Sequence, residues 1–146
     1  MNAPAQSPEY RTRRAALWAL YGVDLLGADP DDLLLYGYAL MTEIDESLTD
    51  VWAEIEEMVF GVDAEQDRLN DEIQALSKRW RLDRMATIDR NILRLGAWAL
   101  LGRHGHPLRV INDCIELAKE YGERGTPAFI NGMLDQLCKN HRITVR

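Results

Sequence analysis

Residues 107–138, PLRVINDCIELAKEYGERGTPAFINGMLDQLC, leave the chain the least freedom, because they spell two helices separated by a glycine-bounded break. Val110, Ile111, Cys114, Ile115, Ala118 and Tyr121 recur at three- and four-residue spacing, which gathers them on one helical face, while Asp113, Glu116, Lys119 and Glu120 fall opposite. A glycine just past the last periodic residue can take the left-handed conformation that closes a helix, so Gly122 reads as the stop. Thr126 then offers an N-cap and Pro127 a first-turn proline for a second helix. Its apolar stripe is Ile130, Met133, Leu134, Leu137 and Cys138. Phe129 and Asn131 lie on the borders of that stripe, where each either packs against a neighbour or faces a ligand.

A chain of 146 residues that is 47% hydrophobic carries enough apolar mass for one core, and a single soluble domain is expected. No run approaches the roughly 20 apolar residues of a membrane span, and MNAPAQSPEY lacks the apolar centre of a secretory leader. The expectation is a cytoplasmic protein with no membrane contact. Cys114 and Cys138 fall on apolar faces, where free cysteine acts as a small hydrophobe, so no disulfide framework, metal site or cofactor is expected.

The net charge of −7 hides a segregation that matters for partners. Residues 1–14 sum to +2, residues 15–77 to −15 and residues 78–146 to +6. Basic ends around an acidic middle can present a local positive surface to a polyanion and an acidic one to a basic protein. Fourteen of the seventeen basic residues are arginine, which suits bidentate phosphate contacts and equally reflects genome composition.

From the N-terminus, Ser7-Pro8-Glu9 reads as a helix start, with a hydroxyl cap, a proline in the first turn and an acid beside it. Arg11, Arg13 and Arg14 then crowd a helix end whose dipole disfavours cations, an arrangement that either binds phosphate or pairs with the acidic middle. The uncharged AALWALYGV that follows reads as buried nearly all round. Asp29 or Asp31 caps a second helix running to about Ile44, with Leu33, Tyr36, Gly37 and Leu40 facing inward. The longest pattern, from about Val51 to Ser77, predicts one helix that Gly61 can kink. Residues 78–85, KRWRLDRM, form a basic connection, and Thr87 caps a largely apolar helix with Arg90 and Arg94 outside.

Nothing in the chain has the spacing of catalytic chemistry. His104 and His106 share a loop with no carboxylate or cysteine at ligand spacing, and there is no glycine-rich phosphate loop or nucleophile elbow. A binding protein, not an enzyme, is expected.

The runs RTRRAALWALY, IDRNILRLGAWAL, VINDCIELAKEYG and FINGMLD, in that order, resemble the bacterial NusB family of transcription antitermination factors. Arg11, Arg13 and Ala19-Leu20-Tyr21 match the family's N-terminal signature, and the likeness extends to about Leu137, with residues 27–77 matching only in pattern. The chain departs at Glu9 and Tyr10, where the family often carries further arginines, and at Ala99, where it usually carries glutamate. The resemblance implies an all-α fold of about seven helices in two small bundles, roughly residues 1–79 and 80–146, packed as one compact domain. It implies binding of the boxA element of nascent RNA together with ribosomal protein NusE in the RNA polymerase antitermination complex, in support of ribosomal RNA operons. On that mapping Arg11, Arg13 and Arg14 hold RNA phosphates, Phe129 stacks on a base and Asn131 supports the same surface. Asp89, Arg90, Arg94 and Trp98 would face NusE. Two other readings stay open: a protein-binding adaptor or homodimer that does not bind RNA, and an RNA-binding module acting in trans with a ribosomal RNA methyltransferase.

Overall fold

The computed structural model describes residues 6–146, which form seven α-helices and two short 3-10 turns with no strand among them. They group into two compact units, one ending at Phe60 and one running from Gly61 to Arg146.

In the first unit, α1 (Pro8–Leu26) starts as its sequence dictates: the Ser7 hydroxyl accepts from the Tyr10 N–H at 3.2 Å, and Gly27 closes the helix at φ 63°. Ala15, Ala16, Leu17, Ala19 and Leu20 are buried, but the uncharged segment is not enclosed nearly all round as expected: Trp18, Gly22 and Val23 are half-buried and Tyr21 is exposed. α2 (Pro30–Ile44) is capped by Asp29, whose carboxylate accepts from the Asp31 N–H at 2.8 Å, and packs on α1. The inward face differs from the one read off the spacing. Leu34 and Met41 are buried, whereas Tyr36 is 79% exposed and Leu40 62% exposed. Apolar residues cover most of the circumference of LLLYGYALM, so periodicity cannot choose the buried side and packing does. A 3-10 turn, Glu46–Thr49, then seats Leu48 in the interior.

The expected helix from 51 to 77 is two helices, α3 (Trp52–Ala64) and α4 (Gln66–Leu76), broken at Glu65. Gly61 serves another purpose than a kink. A Cβ built there would stand 2.5 Å from the indole Nε1 of Trp98, so only glycine lets the helix backbone approach that ring. The division between units also falls earlier than the expected boundary near residue 79, because α4 packs on the later helices α5 (Thr87–Leu101) and α7 (Thr126–Asn140).

The second unit is built on α5, in which every residue from Asn91 to Leu100 is buried, with α6 (Pro107–Tyr121) and α7 packed against it and each other. Thr87 and Thr126, expected as caps, are instead the first helical residues, behind Ala86 and Gly125. Gly122 does end α6, but in an extended conformation at φ −88°, its N–H bonded to the Ala118 carbonyl. Glycine is needed there for space: a Cβ would lie 2.6 Å from Cβ and Cγ2 of Thr126.

Candidate nucleic-acid interface

At the start of α1 the three arginines separate by depth. Arg11 is partly exposed, its Nε and Nη2 donating to the Gln6 carbonyl at 3.0 and 2.8 Å and its Nη1 to the Ser47 hydroxyl at 3.0 Å. Arg14 is also partly exposed. Its Nη1 donates to Gln6 Oε1 at 2.7 Å, its Nη2 lies 3.9 Å from Asp45, and its guanidinium sits over the Tyr10 and Trp18 rings at 5.7 and 5.5 Å. Arg13, by contrast, is only 4% exposed. The expected exposed tip of three guanidinium groups is therefore two, because helical geometry turns position 13 some 200° from 11 and 100° from 14, toward the buried side. The alternative expectation, pairing with the acidic middle, holds for Arg14 through Asp45.

In the second unit a cleft of about 450 Å³ opens beside the first turns of α5 and α7. Trp80, Arg84 and Met85 line it from the connection before α5, Asp89 from α5, and Glu123, Thr126 and Phe129 from the start of α7 and the turn before it. The connection is held in shape by Gln74, which donates to the Trp80 carbonyl at 3.1 Å and accepts from the Leu82 N–H at 2.8 Å, and by Ser77, whose hydroxyl donates to the same carbonyl at 2.8 Å. Leu82 is thereby buried and Trp80 left 59% exposed. Phe129 is half-buried at the cleft wall, and Asn131 is exposed on α7 without lining the cleft.

Asp89 links α5 to the start of α7 at this cleft. Thr126 Oγ1 lies 3.4 Å from each Asp89 oxygen, donating its proton there while accepting from the Glu123 N–H at 3.0 Å. Burial pushes the Asp89 carboxyl above its ordinary value; the Thr126 hydroxyl opposes the rise and the negative charge of Glu123 adds to it. An acid whose pKa is raised on folding binds its proton more tightly in the folded state, so its contribution to stability is fullest at low pH and is lost as pH rises through the folded pKa. Wild type should accordingly lose stability relative to Asp89→Asn as pH climbs out of the acidic range. Thermal unfolding of both proteins across pH checks this, and a constant difference would refute it.

The remaining residues expected at a protein partner do not form a surface together. Arg94 is 7% exposed, its Nε donating to Asn70 Oδ1 at 2.9 Å and its Nη1 to Asn91 Oδ1 at 3.2 Å, which satisfies a buried cation with neutral acceptors. Trp98 is 4% exposed and stacks face to face on His104, ring centroids 3.8 Å apart. Arg90 is half-buried, donating to the Asp83 carbonyl at 3.4 Å. Of the four, Asp89 alone lines the cleft, and the structure joins it to Phe129. Sequence reading missed Arg84, Glu123 and Trp80 as neighbours of that pair, and KRWRLDRM was the one available signal.

Comparison with known proteins places these features in company. The NusB family model matches residues 10–139. The transcription antitermination protein NusB of Anaeromyxobacter sp. (strain Fw109-5) is 41% identical over 129 residues, spanning 88% of this chain and 87% of that protein. Its counterpart in Myxococcus xanthus is 37% identical over 86% of this chain and 91% of its own. Among solved structures, T. maritima NusB superposes with a TM-score of 0.73 at 26% identity, covering 92% of this chain and 93% of that one. A structure of antitermination factors NusB and NusE in complex with dsRNA matches with a TM-score of 0.75 at 26% identity, over 90% and 96%.

Proposed function

Because this chain belongs to the NusB family, we propose that it is a transcription antitermination factor that binds boxA RNA together with ribosomal protein NusE within the RNA polymerase antitermination complex, in support of ribosomal RNA operons. It acts by binding and not by catalysis, in the cytoplasm where nascent RNA is made; no helix among the described residues is long and apolar enough to cross a membrane. The observation that carries the RNA reading is the pair Arg11 and Arg14, partly exposed at the start of α1, with neutral oxygens of Gln6 and Ser47 among their partners. A phosphate offers the same guanidinium groups charge-assisted bonds, which are roughly twice as strong as neutral ones. Arg13, being buried, positions this helix end and leaves the phosphates to its neighbours. Phe129 takes a base, and Asn131 stands two residues further along the same helix.

NusE binding is assigned to the Asp89 and Arg90 end of α5, with Arg94 and Trp98 supporting it from the interior. The test is a pair of titrations of boxA-like single-stranded RNA, with and without NusE. Weak binding alone and tighter binding with NusE is expected, and equal affinity would count against a joint complex. Replacing Arg11 and Arg14 together by glutamine should weaken every RNA by a similar factor and reduce the slope of log affinity against log salt by about 0.7 for each phosphate left without its arginine. An unchanged slope in a variant with intact helical circular dichroism would move the phosphate site elsewhere.

One observation favours a second reading, the protein-binding adaptor. Tyr36, Leu40 and Ile44 form an exposed apolar stripe on α2, and residues 15–67 contain no lysine or arginine. RNA titrations that stay flat with NusE present would favour it.

A further inference from the structure

We infer that the outer face of α2 docks a cationic amphipathic helix of a partner protein, with the partner's apolar side along Tyr36, Leu40 and Ile44 and its lysine or arginine residues against Asp32 and Glu43. The inference rests on the protein-binding reading of this helix, gives that partner its chemistry, and requires nothing of RNA binding.

Helical spacing sorts α2 into two sides. Leu34 and Met41 are buried, and Tyr38 stands edge-on to Trp52 of α3, ring centroids 5.0 Å apart at 81°, so the inner side is already covered. On the other side Asp32, Tyr36, Leu40 and Ile44 follow one row at four-residue spacing, about 18 Å long, and all four are exposed. Glu43, also exposed, borders that row one turn from Leu40 and two from Tyr36. Leu35 on the same helix, and Leu25 and Leu26 at the end of α1, are each more than half exposed as well. Single exposed hydrophobics are ordinary, but this many in two consecutive helices mark a surface that a partner covers.

Charge selects the partner. Residues 29–46 carry six carboxylates and no lysine or arginine. Glu43 lies in the last turn of α2, where the helix dipole disfavours an anion and no basic residue offsets it. A cation brought by a partner relieves that position and meets Asp32 at the other end of the row. The same field repels RNA and anionic lipid, and a helix that lies on a membrane surface carries basic residues where this one carries acids.

A second copy of the chain fits poorly. Packing α2 on α2 sets Asp32 and Glu43 against like charges. Outside α1 and α2, the large exposed hydrophobics among the described residues are Trp80 and Leu108, too few to cover a three-residue apolar row. The row itself points to a helical guest. Side chains at four-residue spacing form a ridge, which seats in the groove between the rows of another helix, and an α-helix offers no strand edge to an extended peptide.

The experiment titrates the full chain with labelled peptides of about 14 residues, long enough to span the row, and reads fluorescence anisotropy and backbone amide shifts. One peptide places leucines on one helical face and lysines on the other; a second scrambles the same residues; a third replaces each lysine by glutamate. The first should bind, move the resonances of Tyr36, Leu40 and Ile44, and weaken at about 1 M salt, where the Debye length is about 3 Å. Tyr36→Gln with Leu40→Gln should lower its affinity about tenfold or more, as truncating central interface anchors does, and Asp32→Asn with Glu43→Gln should lower it as well. Helical circular dichroism of both variants should match wild type, since all four side chains are exposed. Equal binding of the scrambled peptide reduces the effect to charge attraction and overturns the inference, as does equal binding of the glutamate peptide, shifts confined to other helices, or no binding. Displacement of the peptide by NusE, or a concentration-dependent doubling of mass that Tyr36→Gln with Leu40→Gln abolishes, gives the face to NusE or to a second copy. Either result overturns the helix assignment and leaves α2 a protein-binding face. RNA titration of the same two variants should match wild type, which keeps the outcome separate from that of the RNA reading.

Discussion

Trp98→Ala is expected to cost about 3–5 kcal/mol of folding stability, the range for truncating a buried aromatic. Trp98 is enclosed at 4% exposure, its face covered by His104 and its edge meeting the bare backbone of Gly61. Alanine would leave a cavity that the flanking helices cannot close, since Gly61 has no side chain to move into it. Equilibrium urea denaturation reads the loss directly. Gly61→Ala probes the same packing from the other side and should destabilise by about 1–3 kcal/mol through overpacking, because a planar indole cannot yield as a flexible chain end would. A Trp98→Ala protein of nearly wild-type stability that no longer bound NusE would restore this residue to a partner surface and overturn its place in the core.

The largest expected effect on binding is at Phe129. Phe129→Ala should weaken RNA affinity by about 1–3 kcal/mol, the loss of one base–aromatic stack, or roughly 5- to 150-fold. Because the ring is only half-buried at the cleft wall, the accompanying loss of stability should fall short of the about 3–5 kcal/mol of a fully buried phenylalanine. Fluorescence anisotropy with labelled boxA RNA, paired with denaturation of the free protein, separates the two. A variant that unfolds while its folded fraction keeps full RNA affinity would make Phe129 a core residue and empty the cleft of its proposed role.

These two aromatics mark the line between what could be read early and what could not. Local chemistry determined the starts of α1 and α2 and the ends of α1 and α6: Ser7, Asp29, Gly27 and Gly122 act within a few residues of themselves, so their effect is written where they stand. The order of four motifs determined the family, and with it the expectation of an RNA partner. Phe129 at a stripe border was legible for the same reason, since angle around one helix needs no knowledge of any other.

Tertiary packing decided the rest. α2 is apolar around most of its circumference, and only its neighbours select Leu34 and Met41 over Tyr36 and Leu40. Arg13 and Arg94 carry charge, the usual mark of a surface, yet are buried, Arg94 because Asn70, 24 positions earlier, supplies an acceptor that no local pattern announces. The cleft is the clearest case. Asp89 and Thr126 meet across 37 residues of sequence, and the burial that raises the carboxyl's pKa exists only once α5 and α7 have packed. Periodicity reports which side of a helix is apolar; which partner covers that side, and which polar groups are enclosed with it, is fixed by residues distant in the chain.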